Sequence, residues 1–301
     1  EELGKMVCPS PFFSTVVQCG MTLLQAGQEE QKKELLAKIA EGSLKMALCL
    51  YEEDGCYEER STHMQAVPSG DMYILNGIKM FVLDANVSDK MIVAARTAGG
   101  ITLFLADADQ TGLSINKMPT ISMDNTCEVI FKDVKVPRHN IIGSEGEGLT
   151  VLRRVNAMGA VAKSAEMIGG CKVCIDMTAG YAKERVQYGN PIGGYQIIQH
   201  YMADMLIAYD TIWNYLYRVA YLIDAGEDYE LEASVLKART NENFKFISDR
   251  AIQIHGAIGT TREYDISLFF RRAKSWELVC GDTDYHSENV TQKILESMPT
   301  W

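Results

Sequence analysis

Proline is sparse, with 7 residues in 301, and the 24 glycines follow no collagen-like period. A fibrous or linker-dominated chain is therefore excluded. Basic residues are in deficit: 29 Lys and Arg against 40 Asp and Glu leave a net charge of −11. A surface of that sign repels phosphate backbones and anionic lipid, which excludes general nucleic-acid or membrane-surface binding. A local basic pocket for a phosphorylated ligand stays compatible. No apolar run approaches the roughly 18–20 residues that span a bilayer. The start, EELGKMVCPS, lacks the charged-then-apolar layout of a secretory signal. What remains is an ordinary globular composition, 47% hydrophobic and 23% charged, long enough for two or three domains.

The eight cysteines stand at 8, 19, 49, 56, 127, 171, 174 and 280. A chain of this length buries a core without a disulfide framework, so reduced thiols are expected. Cys171 and Cys174 form a C-x-x-C inside a long helical pattern, with no second pair or His nearby in sequence. That pattern suits packed thiols, and no metal site is expected.

Three zones follow one another. From Met21 to about Leu48, apolar residues recur at three- and four-residue steps, the helical period. From about Cys49 to Val136 the period changes to two, in short runs such as MYILNGIKMFVLD and CEVIFKDVKVP. Leu75-Asn76-Gly77-Ile78 carries a hairpin signal, because Asn-Gly accepts positive φ. About ninety residues without a helical insert predict an antiparallel barrel or sandwich. After Pro137 and the glycine-rich SEGEGL, helical patterns occupy 149–187, 195–225, 230–256, 265–280 and 285–297. Long helices with short loops predict an up-down four-helix bundle. The expected fold class is thus α+β multidomain, with domains near 1–48, 49–148 and 149–301.

Two segments carry chemistry. RVQYGNPI, at 185–192, joins two long helices and places a cation and an aromatic on a rigid corner. Arg185 there can fork onto a phosphate or carboxylate; equally, a helix C-terminus stabilises an Arg by itself. QIHGAIG, at 253–259, puts small residues after a helix, where a backbone or flat ligand can approach closely. It is not a dinucleotide fingerprint, since it follows a helix rather than a strand. His255 within it reads first as a packing residue.

Together, YAKERVQYGNPIGGYQIIQHYMADM, AIQIHGAIGTTREYDISLFFRRAK, NGIKMFVLD and FKDVKVPRHNIIGSEGEGL resemble the acyl-CoA dehydrogenase family of flavoproteins, over nearly the whole chain. The resemblance implies FAD as cofactor and an acyl-CoA thioester as substrate. A base would take the α-proton while the β-hydrogen leaves as hydride to the flavin. It also implies a homo- or hetero-tetramer, an electron-transfer flavoprotein as acceptor, and a place in fatty-acid metabolism. The compartment would be the cytoplasm of a bacterium, or the mitochondrial matrix in a eukaryote. Family chains begin several helices earlier, so the N-terminal helical domain is expected to be partial.

Carried over by residue, Arg185, Gln187 and Tyr188 resemble the corner that holds the FAD pyrophosphate. Gln253, Gly256 and Ala257 resemble the strip that meets the FAD of a neighbouring subunit, and Gln196 lies toward the adenosine end. Leu50, Tyr51, Phe81 and Leu83 fall where the family lines the isoalloxazine ring; Phe81 and Leu83 also read as strand core. The family has Trp and Thr at those last two places, and Leu83 cannot donate the hydroxyl bond that serves the flavin N5. Cys280 occupies the place of the usual catalytic Glu, with Asp282 two residues on, and Gly159 stands near a second family position for that Glu. Arg153 and Arg154 could meet CoA phosphates or solvent. Pro9–Thr15 corresponds to a segment facing the acyl tail, or to core packing.

Two versions of the activity follow. The chain dehydrogenates acyl-CoA as a homotetramer with an unorthodox base. Alternatively it is the base-less partner in an α2β2 assembly, a case that Gly281-Asp282-Thr283-Asp284-Tyr285-His286 resembles. A non-catalytic scaffold of the same fold, or a flavin-dependent oxidase or monooxygenase on it, are further alternatives.

Overall fold

The computed structural model describes residues 1–57 and 61–297. The chain divides into two compact units: Pro9–Asn156, and Glu1–Cys8 together with the residues from Ala157 on.

The first unit is built on an eight-stranded sheet: β1 (Met46–Cys49), β2 (Gln65–Ser69), β3 (Met72–Leu83), β4 (Lys90–Thr97), β5 (Gly100–Asp107), β6 (Leu113–Lys117), β7 (Thr126–Pro137) and β8 (Ile141–Ile142). The spatial order is β6-β7-β3-β2-β4-β5-β8, with β1 also on β4. Most pairs are antiparallel, as the period-two runs implied. Strand β4, however, pairs in parallel with both β1 and β2, which makes the sheet mixed. Along β1 and β4 alternate residues enter two different cores. Ala47, Cys49, Met91 and Val93 face one; Met46, Leu48, Ile92 and Ala94 face the other. Both faces are covered, so these strands read as continuous apolar runs rather than alternations.

That double burial explains one departure from the sequence reading. The helical pattern expected to about Leu48 stops at the helix Ala37–Ala40, and Met46–Cys49 is a buried strand. Helical segments Phe13–Gly20, Met21–Ala26, Glu29–Gln31 and Lys32–Leu36 precede it, interrupted at Gly27.

Asn76-Gly77 is a second departure. The expected hairpin lies instead at Gly70-Asp71, between β2 and β3. Asn76 and Gly77 sit inside β3, where the register against β7 shifts. Asn76 bonds Asp133 on β7 twice, accepting from its N–H at 2.8 Å and donating to Oδ1 at 3.1 Å. A Cβ on Gly77 would lie 2.9 Å from Met64 Cγ. The extra residue of this bulge belongs to β7, where Asp133 is left-handed at φ 53°, and Asn76-Gly77 lies opposite it in continuous strand rather than in a turn.

The second unit is helical: Gly148–Glu184 from Ala157 on, Gln196–Ala225, Glu230–His255, Ile266–Trp276 and Thr283–Ser297. These match the five helical patterns within a few residues. A short hairpin, Val186–Gln187 with Asn190–Pro191, separates the first two. Its core gathers Met167, Ile168, Met205, Ile212, Leu236, Phe244, Ile247 and Phe269. Cys171 and Cys174 lie in that core one helical turn apart, and burial pushes both thiols up. No helix of the described residues is long and apolar enough to cross a membrane.

Candidate functional site

The candidate residues fall into three groups, two in the helical unit and one in the sheet unit. The first is the corner after Glu184. Tyr188 (φ 51°) and Gly189 (φ 82°) are both left-handed, the geometry of a tight two-residue hairpin turn. Tyr195 braces it by donating its hydroxyl to the Gln187 carbonyl at 2.7 Å. Arg185, Gln187 and Gln196 are exposed, and Tyr188 is 94% exposed. The Arg185 guanidinium makes no ion pair among the described residues, although its backbone is fixed by bonds to Tyr181 and Ile192. An uncommitted fork on a rigid turn is what an anionic ligand requires.

On the strip that follows the next helix but one, Gln253, Gly256 and Ala257 are exposed. Gly256 adopts φ 66°, ψ −141°, a conformation essentially confined to glycine, and the space where a Cβ would sit is empty. His255 is a packing residue. Its Nδ1 pairs with the Ala251 carbonyl at 2.7 Å, and its ring stacks on Tyr181 at 4.5 Å. Burial holds its pKa below the ordinary value.

The second group surrounds Cys280. Cys280 (φ 61°) and Gly281 (φ 109°) form a left-handed turn after the helix Ile266–Trp276. Lys237, fully buried, donates to the carbonyls of Trp276 (3.3 Å), Glu277 (3.0 Å) and Gly281 (3.1 Å), and to Asn241 Oδ1 (2.6 Å). Its pKa is pulled down to about 7, chiefly by burial, with Cys280 acting upward and Lys163 downward. His286 Nε2 reaches the Cys280 carbonyl at 2.9 Å, and burial lowers its pKa to about 4. Cys280 is buried, and burial raises its thiol to about 11 against the pull of Lys237 and Lys163. Asp282 Oδ1 accepts the Tyr285 N–H at 2.8 Å, capping the last helix. Gly159 is buried in its helix, whereas Arg153 and Arg154 are exposed.

The third group lies in the sheet unit. Phe81 is not strand core: it has φ 57° and stands 46% exposed at a second register shift of β3. Leu83 keeps its strand pairing with Thr126 and is half-buried. Tyr51 is half-buried, edge-on to Tyr57 at 5.3 Å, and its carbonyl accepts the Met80 N–H at 2.9 Å. Leu50 is half-buried beside it. In the N-terminal segment Phe13 is buried and Phe12 exposed, while Thr15 Oγ1 bonds both N and O of Met46.

Sequence reasoning missed two buried lysines, Lys79 and Lys237. Lys79 follows Tyr73 and Leu75 in the inward register of β3, and a cation at an inward strand position is the signal that was available.

The family model for the acyl-CoA dehydrogenase middle domain matches residues 47–134, and that for the C-terminal domain matches 146–295. A short-chain specific acyl-CoA dehydrogenase of Clostridium acetobutylicum is 30% identical over 285 residues, 92% of this chain and 75% of that protein. A caffeyl-CoA reductase–Etf complex subunit of Acetobacterium woodii is 30% identical over 288 residues, 93% and 74% of the two chains. The structure of butyryl-CoA dehydrogenase from Megasphaera elsdenii superposes with a TM-score of 0.91 at 27% identity, covering 95% of this chain and 77% of that one.

Proposed function

The chain belongs to the acyl-CoA dehydrogenase family, and from that premise we propose a flavin-dependent oxidoreductase acting on the CH–CH bond of an acyl-CoA thioester. The carrying observation is that both family domains match, in order, on one chain.

The residues present fit FAD. Arg185 is an exposed guanidinium with no ion pair among the described residues, suited to a pyrophosphate, with Gln187 and Tyr188 on the same turn and Gln196 toward the adenosine. Gln253, Gly256 and Ala257 leave an open strip for the FAD of a second subunit. Phe81 and Tyr51 offer aromatic faces for the isoalloxazine ring. Bound FAD would supply the hydride acceptor. Leu83 offers that ring no hydroxyl.

Proton abstraction α to a thioester requires a base within reach. Cys280, buried and raised to about 11, holds its proton at neutral pH. Asp282 is occupied as a helix cap. This favours the second version: a base-less subunit in an α2β2 assembly, contributing part of each FAD site, with the partner supplying the carboxylate. An electron-transfer flavoprotein is the proposed acceptor, in line with the Etf complex of one relative. The proposed compartment is the bacterial cytoplasm, or the matrix in a eukaryote. Purifying this chain alone tests the assembly. Loss of yellow colour without a partner is expected, and a yellow homo-oligomer bleached by acyl-CoA would overturn the base-less reading.

A further inference from the structure

Lys79 is wholly buried, and its ammonium donates to Glu52 Oε1 at 2.8 Å and to the Leu50 carbonyl at 3.1 Å. Glu52, with 11% of its side chain exposed, also accepts the N–H groups of His63 (2.9 Å) and Met64 (3.1 Å). Burial works to raise the Glu52 carboxyl, but Lys79 and the two N–H groups outweigh it and hold it below its ordinary value. On Lys79 burial prevails and lowers the pKa, with Glu52 acting upward. The pair joins three segments, 50–52, 63–64 and the middle of β3, through the bonds named above.

Immediately after Lys79 the strand leaves its register. Met80 bonds the Tyr51 carbonyl, and Phe81 turns left-handed with its ring outward. A left-handed non-glycine residue is strained, and an exposed aromatic gives up its burial. Such a conformation persists only where its surroundings over-determine it. Here the over-determination comes from either side of one peptide: Lys79 anchors to the Leu50 carbonyl, and Met80 to that of Tyr51. Gly55, from the same segment, closes in, with a Cβ there lying 3.9 Å from the Phe81 ring. Well-packed apolar residues would serve stability as well as a buried ion pair does, so a role in fixing one conformation is the better account of the pair.

We propose that the Lys79–Glu52 pair is a positioning device that locks the Met80–Phe81 bulge onto the Leu50–Glu52 segment and presents the Phe81 ring as a fixed platform for a flat aromatic ligand. The flavoenzyme reading enters only in naming that ligand as the flavin ring.

The test uses the full chain, with its partner subunit if one is required for flavin uptake. The double variant Lys79→Met/Glu52→Leu removes both charges together, and Glu52→Asp keeps the charge but shortens its reach. With 4-fluorophenylalanine incorporated, the 19F line of Phe81 is identified by its loss in Phe81→Leu. Both variants should shift or broaden that line while the other phenylalanine lines hold. FAD uptake should weaken about tenfold, the scale of groups that orient a ligand from behind, and the visible band of bound flavin should lose its fine structure. An unmoved, sharp Phe81 line in a folded variant overturns the proposal. If the double variant does not fold, Glu52→Asp decides. If the wild-type protein takes up no FAD, the flavin reading fails, while the 19F result still decides the positioning role.

Discussion

Lys237 on one helix and Gly281 on the turn after another are joined by a single buried bond of 3.1 Å from ammonium to carbonyl. Two further carbonyls of the same stretch share that ammonium. With His286 holding the carbonyl of Cys280, this left-handed turn is clamped from both sides.

Lys237 should make stability depend on pH on the alkaline side. Its folded pKa, about 7, lies below the ordinary 10.5, so between these values the unfolded chain binds a proton that the native one does not. Stability from this group therefore rises as pH increases from about 7 toward 10.5 and is lost as pH falls through 7. The wild-type minus Lys237→Met difference in urea unfolding free energy should grow by on the order of 3–5 kcal/mol across that window. A pH-independent difference would contradict the assignment.

His286 should act on the acid side. Its pKa falls from 6.5 to about 4, so its contribution is complete above 6.5 and disappears as pH drops toward 4. About 3 kcal/mol is at stake. His286→Phe should flatten the acid limb of a thermal stability profile between those pH values.

Gly281→Ala should be strongly destabilising. A Cβ there would sit 2.5 Å from Tyr285 Cδ1 and 2.6 Å from His286 Nε2, on a residue already at φ 109°. A cost of about 2–4 kcal/mol is expected, to be measured by denaturant unfolding. Gly189→Ala, at φ 82° with nothing near its absent Cβ, should cost about 1 kcal/mol.

Cys280 should resist alkylation. At pH 8 its thiol is buried and protonated, whereas Cys8 and Cys56 are partly exposed. Peptide mapping after brief iodoacetamide treatment of the native protein should find label on Cys8 and Cys56 and none on Cys280. Rapid labelling of Cys280 would restore it as a candidate base.

Arg185→Ala should weaken FAD uptake by about tenfold to a hundredfold, the worth of a charge-assisted fork. Arg185→Lys should recover only part, because a point charge cannot make the bidentate contact. Flavin fluorescence quenching on titration measures both.

Much of this was legible from residue order. The long helices announce themselves by period, and two of them end where Gly226 and Gly256 reverse φ. The Arg185 corner and the Gly256 strip came from composition at helix ends, and both proved exposed. Where the sequence misled, one residue type served two ends. Asn76-Gly77 suits a turn, yet it stays in strand opposite a bulge of β7, where Asn76 is held by the left-handed Asp133. Met46–Cys49 is apolar on both faces, which erases the period of two. Phe81 follows the strand pattern, and its outward turn depends on bonds from Leu50 to Glu52, remote in sequence. The clamp on Cys280 was invisible for the same reason: Lys237 lies a whole helix away.

The sharing of β4 by β1 and β2 bears on how the sheet unit forms. Strands β2 and β3 close through one tight turn, as do β4 and β5, and both hairpins can zip early from local contacts. Neither parallel pairing with β4 is local: Met46 must find Lys90, and Gln65 must find Arg96. Each closes a long loop whose entropy is lost before any ladder bond rewards it. The antiparallel pairing of β3 with β7, Met72 to Pro137, is as remote. Refolding from urea should therefore be limited by these long-range pairings, among them the docking of Met46–Cys49, which places Met46 and Leu48 in the core shared with the helical segments before it.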